Sequence, residues 1–444
     1  MRIDELSGRR VALLGLGADV RAAVPAIRAA GPAELVAVES GAVGLAAAAA
    51  EGLAVRSLEE AAASAEVLVR SPGFPRYQAA LVAALGRGAR MTTPLDLWLG
   101  THGGGRTVVG ITGTKGKSTV TDLLGSLAAE AGLRVGLAGN LGVPVFSDDW
   151  DHGAPLIVLE VSSYQAADLH HVPDVAVLTF LSEDHLSWHG GVEAYVADKL
   201  RLLQNEAGTA GLVLLPEDGG RAAEAVAALG VVGVQVVPSP SGGAGVPSHR
   251  VQNAALAAAA LAAVGGPALS DEAIVVAAGR SLPGRLDRCD GPPGVRCFDD
   301  ALASNPSATA AGLRWLREEG RPTIVVLGGA DRGVDPAPLA DEAGRWPAGL
   351  LRAVVVPENG AALAERCGIE VGATVGGVAE AVGAGLALLE RAGSIGGEPG
   401  GGGEGGGGAL LFSPAAPTVP GEGNWETRSA AFRAACAAAA RPGG

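Results

Sequence analysis

The chain is 444 residues long, 48% apolar but only 3% aromatic, and carries 33 basic against 47 acidic residues, a net charge of −14. That length is too great for one ordinary core and points to two or three domains, packed mostly through small aliphatic side chains. The acidic balance excludes non-specific nucleic-acid and anionic-membrane binding, so any phosphate has to be gripped locally. The four cysteines, Cys289, Cys297, Cys367 and Cys436, have no metal-ligand spacing. They read as reduced thiols, with Cys289 and Cys297 near enough in sequence to form a redox pair. The opening Met1-Arg-Ile-Asp-Glu-Leu lacks the apolar run of a signal peptide, and no run is long enough to span a bilayer. A cytoplasmic protein without membrane insertion is expected.

In chain order, residues 10–100 alternate short apolar runs with Ala-rich helical stretches. Arg10-Val-Ala-Leu-Leu14 reads as a buried strand entering the turn Gly15-Leu-Gly17, with a helix over Val20–Ala30. A second strand, Leu35–Val38, ends at Glu39, and a third, Val67–Arg70, ends in Ser71-Pro-Gly73. This is the pattern of a small Rossmann-like unit, although the turn lacks the third glycine and a plain strand-to-helix turn fits it equally. A new unit begins after Gly103-Gly-Gly105. Thr107–Thr112 is predicted as a strand, and Ser118–Glu130 has the apolar spacing of a helix that Gly132 ends. Further strands are predicted at Leu156–Leu159, Val175–Leu178 and Gly211–Leu215, and a buried helix at Asn253–Val264. Ser281-Leu-Pro-Gly-Arg285 reads as a hinge. A third unit has strands at Thr323–Leu327, Ala353–Val356 and Ala409–Phe412, and its Gly393–Gly408 run is a flexible insertion by composition.

The chemistry concentrates in Gly110-Ile-Thr-Gly-Thr-Lys-Gly-Lys-Ser-Thr119. The strict phosphate-loop pattern fails at Ile111, yet G-x-x-G-x-x-G-K-S between a strand and a helix is specific for phosphate. Gly113, Thr114, Lys115, Gly116 and Thr119 belong to a loop whose amides can form an anion nest at a helix N-terminus. Lys117 brings a point charge to the terminal phosphates, and Ser118 is placed to reach Mg²⁺. Glu160 follows one predicted strand and Glu183-Asp-His185 another, so both should share an edge with the loop if the sheet is parallel. Glu160 suits Mg²⁺ as a hard oxygen ligand. His185 is a less usual Mg²⁺ ligand, with a loop or cap histidine as the lesser alternative.

The loop, Glu160-x-Ser-Ser163, Glu183-Asp-His185 and Tyr195-x-x-x-Lys199 together resemble the Mur ligase family, which adds amino acids to the UDP-linked peptidoglycan precursor. The resemblance extends over the whole chain: Gly139-Asn-Leu-Gly142, His249-x-x-x-Asn253-Ala with Arg250 in place of an asparagine, Leu282-Pro-Gly-Arg285, and Asp300. It implies an α/β protein of three domains: an N-terminal Rossmann-like UDP-substrate domain (1–102), a central P-loop mononucleotide-binding sheet (103–283), and a C-terminal Rossmann-like amino-acid domain (284–444). ATP would phosphorylate a carboxylate, and the incoming amine would displace phosphate from the acyl phosphate. By the same resemblance Ser118 and Glu160 hold one Mg²⁺ and His185 a second. Lys199 corresponds to a lysine that family members carbamylate; without the family it would read as a solvated helix lysine. Asn253, Arg285 and Asp300 fall to the ATP site, as does Asn140, which is also grouped with the UDP-substrate residues Gly15, Gly17, Glu39 and Ser71.

Within the family the chain most resembles the glutamate-adding MurD type, whose second substrate is UDP-N-acetylmuramoyl-L-alanine. Ser413-Pro-Ala-Ala-Pro-Thr418 and Asn424-Trp-Glu-Thr-Arg428 resemble its glutamate-side loops, making Ser304, Arg332, Ser413 and Trp425 candidates for glutamate. The departures are Lys115 in the loop, Leu302 where a lysine is usual, and Arg332 in Gly328-Gly-Ala-Asp-Arg332. Arginine offers a planar two-pronged grip that lysine cannot. This combination resembles the variant branch that adds L-glutamate and relies on a separate epimerase. A monomer is expected. The D-glutamate-adding enzyme remains the alternative, and behind it stand a folylpolyglutamate synthase and a non-catalytic nucleotide-binding regulator. The N-terminal unit counts against the synthase, and retention of Lys117, Glu160, His185, Lys199, Arg285 and Asp300 counts against the regulator.

Overall fold

Val- and Leu-rich segments of four to six residues, separated by helical stretches, build three sheets in the computed structural model, which describes residues 1–241, 246–280, 282–331, 334–392, 407–419 and 421–440. The chain divides into two compact units, Met1–Ser241 with Val251–Ala277, and Gly242–Arg250 with Ala278–Gly444. Two of the three sheets lie in the first unit.

The first sheet comprises β1 (Arg10–Leu14), β2 (Glu34–Val38), β3 (Ala54–Val55), β4 (Val67–Arg70) and β5 (Arg90–Thr92), all parallel, in the order β3-β2-β1-β4-β5. The second comprises β6 (Thr107–Thr112), β7 (Val135–Gly139), β8 (Leu156–Glu160) and β9 (Val175–Leu178). A small hairpin, β10 (Gln204–Asn205) and β11 (Gly208–Thr209), precedes its last strands, β12 (Leu212–Pro216) and β13 (Val234–Val237). Its order is β13-β12-β9-β6-β8-β7, again all parallel. Both faces of such a sheet are covered, which is why β6, β8 and β9 read as unbroken apolar runs. Parallel register sets Ile111 opposite Glu160 and Thr112 opposite Leu178. The polar residues following all three strands therefore share one edge.

The two sheets of this unit are joined by a helix and by an arginine. Helix Pro94–His102 places Leu95, Trp98 and Leu99 in the core of the second sheet and Leu97 in that of the first. The 102/103 boundary implied by the family resemblance coincides with the end of this shared helix. Arg70, at the end of β4, is fully buried. Its Nε donates to Asp168 Oδ2 at 2.7 Å, while Nη1 and Nη2 donate to the carbonyls of Ser71, Pro72, Phe74 and Tyr164. Arg76 holds the other Asp168 oxygen at 2.6 Å.

The second unit's sheet contains β14 (Asp287–Cys289), β15 (Val295–Asp299), β16 (Thr323–Leu327), β17 (Leu351–Val355), β18 (Val371–Thr374) and β19 (Gly408–Phe412), in the order β14-β15-β19-β16-β17-β18. Only β14–β15 is antiparallel, and it sets Cys289 opposite Cys297. All four cysteines are free thiols. Residues 393–406 of the glycine-rich insertion, Ser281 of the hinge, and Arg332 lie outside the described residues. Among those described, no helix is long and apolar enough to cross a membrane.

Arg70 is a buried cation whose removal would strand Asp168 and release four carbonyls. Arg70→Met is expected to cost about 3–5 kcal/mol of unfolding free energy in urea titration, the range for breaking a buried pair. Arg76→Met, which removes a partly exposed partner, should cost about 1 kcal/mol or less.

Candidate active site

The loop after β6 turns on two glycines. Gly113 has φ +145°, and a Cβ there would sit 1.9 Å from Thr179 Oγ1. Gly116 has φ +96° and caps helix Lys117–Glu130; a Cβ there would sit 2.6 Å from Asn253 Oδ1. No other residue fits either place, and the second contact brings Asn253 against the loop as expected. The amides of Thr114 and Lys115 both point to the Phe180 carbonyl, at 2.8 and 3.4 Å. The expected nest is therefore narrower than the sequence suggested, and anion binding rests on the first turn of the helix.

Of the 33 basic residues only three are lysines, and all three are at this loop. Lys117 Nζ donates to the carbonyls of Gly113 (2.9 Å) and Thr114 (3.2 Å), and Lys199 Nζ donates to the same Gly113 oxygen at 2.7 Å. Lys199 is 2% exposed. Burial first, then the neighbouring Lys117 charge, holds its amine well below the ordinary lysine pKa. Lys115 Nζ lies 3.9 Å from Asp184 Oδ2. Burial works against the Asp184 charge, but Lys115 and His185 outweigh it and hold the carboxyl below its usual range.

Glu160 ends β8 with 1% exposure. Its Oε1 accepts from Asn140 Nδ2 at 2.6 Å, while Oε2 is buried without a partner. A carboxylate oxygen left dry and unpaired is costly unless a cation completes it. It is a hard oxygen of the kind Mg²⁺ takes, and Ser118 stands in the first turn of the helix after the loop. Among the described residues no group of three or more His, Cys, Asp or Glu could hold a metal. Any Mg²⁺ here must draw further oxygens from phosphate and water, as Mg²⁺ usually does. His185 has φ +53°, a left-handed conformation uncommon outside glycine, and its ring lies 4.9 Å from that of Tyr164. Such local strain clusters at functional sites.

The four residues grouped at the first sheet also meet. Gly15 (φ +78°) has no space for a Cβ beyond 3.3 Å from Ser71 and Phe74, and one on Gly17 would sit 2.5 Å from Ser71 Oγ. Glu39 accepts from the Leu16 amide. All lie past the C-terminal ends of β1, β2 and β4. Asn140, grouped with them by sequence, is instead held on Glu160.

In the second unit, Asp300 follows β15. Its Oδ1 accepts from the Leu286 amide (3.0 Å), and its Oδ2 lies 2.8 Å from Ser413 Oγ. Burial raises its carboxyl from 3.8 to about 7, opposed by Ser413, the Leu286 amide and Arg285. Trp425 packs over Gly284, where a Cβ would also lie 3.6 Å from Leu302, the residue that replaces a usual lysine. Ser304 lies in the turn just before helix Pro306–Glu318. Arg428 was not singled out by sequence. It donates to the Gly328 carbonyl at 2.6 Å and lies over Phe412 at 5.2 Å. The lysine count is itself a sequence signal, since only Lys115, Lys117 and Lys199 stand among the 33 basic residues.

Gly113→Ala should lower unfolding free energy by about 1–3 kcal/mol and weaken ATP-analogue binding measured by calorimetry. The raised Asp300 pKa means the folded state binds that proton more tightly than the unfolded chain. Its stabilising share is fully present below 3.8 and is lost as pH rises through about 7. Asp300→Asn should flatten stability across that window in urea titrations at successive pH values.

Comparison with known proteins agrees with this geometry. The model of the Mur ligase middle domain matches residues 111–238. A UDP-N-acetylmuramoyl-L-alanine–L-glutamate ligase of Micromonospora sp. is 36% identical over 97% of both chains. A ligase of the same name from Salinispora tropica is 34% identical over 97% of this chain and 98% of its own. The solved MurF ligase of Thermotoga maritima, in complex with ADP, shares the fold at TM-score 0.56 and 14% identity, covering 98% and 96% of the two chains. With relatives this similar along nearly the whole length, and with the loop, Glu160 and Lys199 assembled at one sheet edge, the chain belongs to the Mur ligase family.

Proposed function

We propose that this protein is an ATP-dependent ligase that joins L-glutamate to UDP-N-acetylmuramoyl-L-alanine through an acyl phosphate. The observation that carries the reading is the convergence of Lys117, Lys199 and the unpartnered Glu160 oxygen on the loop edge of β6. The Lys117 ammonium, the Lys199 amine and an unpaired carboxylate oxygen suit a polyphosphate whose terminal group is to be transferred.

A carboxylate is a poor electrophile, and phosphorylation gives it phosphate as a leaving group. Lys117 follows the transferring phosphoryl group, whose equatorial oxygens gather charge in the transition state. Ser118 and Glu160 would hold one Mg²⁺, and His185 with a carbamylated Lys199 a second; the metal supplies charge neutralisation on the phosphate oxygens. The ordinary ammonium of lysine cannot ligate a cation. The depressed pKa of Lys199 favours the neutral amine, which adds to CO₂ and loses a proton to give an anionic carbamate. Asn140 fixes Glu160, and Asn253 closes on the loop at Gly116. The glutamate amine then attacks the acyl carbon and phosphate leaves from the tetrahedral intermediate.

In this reading residues 1–102 hold the UDP-substrate through Gly15, Gly17, Glu39 and Ser71, residues 103–283 hold ATP, and residues 284–444 hold glutamate. Arg285 and Asp300 serve the nucleotide. Ser304, Arg332, Ser413 and Trp425 serve glutamate. The L-isomer is supported by Lys115, Leu302 and Arg332, which depart from the D-glutamate pattern, and by the relatives' names. The protein works as a cytoplasmic monomer, and a separate epimerase acts on its product.

Phosphate release should require ATP, Mg²⁺, UDP-N-acetylmuramoyl-L-alanine and L-glutamate together. Turnover with D-glutamate alone overturns the isomer, and none with either overturns the ligase. Lys117→Ala and Lys199→Ala should each lower kcat about 10²–10³-fold. Intact-mass measurement in bicarbonate should show the mass of one CO₂ on the wild type and none on Lys199→Ala.

A further inference from the structure

Four polar side chains around the site form an unbroken line that the proposed chemistry does not use. Tyr77 OH donates to Asp198 Oδ2 at 2.6 Å. His189 Nδ1 lies 2.6 Å from the same oxygen, and His189 Nε2 lies 3.0 Å from Ser163 Oγ. His189 and Ser163 are each 2% exposed and Asp198 is 6% exposed, whereas Tyr77 remains 42% exposed. A carboxylate only accepts, so His189 carries its proton on Nδ1, and in the neutral ring Nε2 accepts from the Ser163 hydroxyl.

The order Ser–His–Asp is that of a nucleophilic triad. A hydroxyl buried this deeply cannot meet a carbonyl of bound substrate, so nucleophilic attack is not its role. Nor is the line a routine core feature, since apolar side chains of the same volume would stabilise such a core at least as well. A fully satisfied polar network instead fixes one geometry. What it fixes is visible in the sequence positions. Ser163 lies three residues beyond Glu160, Asp198 immediately precedes Lys199, and Tyr77 lies six residues beyond Ser71 on the loop after β4. His189 also stacks on Tyr164 (5.6 Å, 11°), whose ring contacts His185, and Tyr77 sets its edge on Trp188 at 5.9 Å. The chain has only three tyrosines, and all are here: Tyr195, the third, bonds Thr114 Oγ1 at 2.8 Å.

We infer that Tyr77, Asp198, His189 and Ser163 act as one positioning chain, registering the loop that holds the acceptor substrate against the segments that hold phosphate and metal. The inference rests on the ligase reading for the identity of that substrate. Tyr77 is its only member from the first-sheet region and its only exposed one, so substrate binding at Ser71 is felt at Asp198 through a single O–H.

The test is steady-state kinetics on the full-length enzyme. Tyr77→Phe keeps the ring on Trp188 and removes only the hydroxyl. It should raise KM for the UDP-substrate about tenfold or more, the scale of one hydrogen bond to a charged acceptor, with KM for ATP and the melting temperature unchanged. Asp198→Asn should lower kcat/KM for the same substrate, and the Tyr77→Phe/Asp198→Asn double variant should be no worse than Asp198→Asn alone. Ser163→Thr should recover what Ser163→Ala loses. Wild-type kinetics in Tyr77→Phe, equal rises in both KM values, or additive losses in the double variant overturn the inference. Absence of wild-type turnover counts against the ligase reading alone. Calorimetric affinities for the UDP-substrate then carry the same comparison, and equal values for wild type and Tyr77→Phe overturn the positioning chain.

Discussion

Two lysine amines share the Gly113 carbonyl, and the organisation of the first unit follows from keeping them there. Placing like charges together in a dry site is unfavourable, and the low proton affinity of Lys199 relieves it, with the Asp184 and Glu160 carboxylates acting in the opposite direction on that amine. Asp184 lies 3.9 Å from Lys115, and Glu160 leaves one oxygen unpartnered. An anion with a divalent cation beside it satisfies all of these groups at once, which is preorganisation in the sense that matters for phosphoryl transfer. Gly113 is what permits the geometry, because only a residue without a Cβ passes Thr179 so closely.

How much of this could be read from the sequence depended on how local each feature is. β6, the loop and the following helix form one uninterrupted segment, so composition and spacing place Lys117 and Ser118 without any tertiary knowledge. Glu160 and His185 needed one further assumption, a parallel sheet, because that alone brings strand ends from different parts of the chain to one edge. β3, β5, β7, β10, β11, β13, β14 and β18 are not predicted because short or edge strands lack a long apolar run; β7 itself contains two glycines, and in β15 Arg296 and Asp299 interrupt the apolar pattern. Arg70 looked like the polar end of a strand, and nothing local announces that it would be fully buried against Asp168, ninety-eight residues away. The Tyr77–Asp198–His189 line was illegible for the same reason: its partners are up to 121 residues apart.

The second unit shows a different compromise. Asp300 is held by an amide and a hydroxyl, with Arg285 favouring its charge, and burial leaves its carboxyl close to half-protonated near neutrality. Leu302 beside Trp425 makes that corner more apolar than a lysine would, while Arg428 ties the Gly328 carbonyl down by a long reach from the last helix. Resemblance points to the loops after β15 and β19 here. It could not indicate that Ser413 would face Asp300, because that contact joins β19 to the end of β15 across a sheet whose strand order departs from sequence order.

The near absence of lysine has a consequence beyond the site. Elsewhere on the surface arginine carries the positive charge, and its guanidinium does not take part in the acylation, carbamylation or isopeptide chemistry that amines undergo. Side-chain amine modification of this protein is therefore confined to Lys115, Lys117 and Lys199. Lys199 is shielded at 2% exposure, while the Lys115 side chain remains 24% accessible. A reagent or modifying enzyme that targets lysine would find no expendable position, and every successful hit would fall on the nucleotide loop or its neighbour.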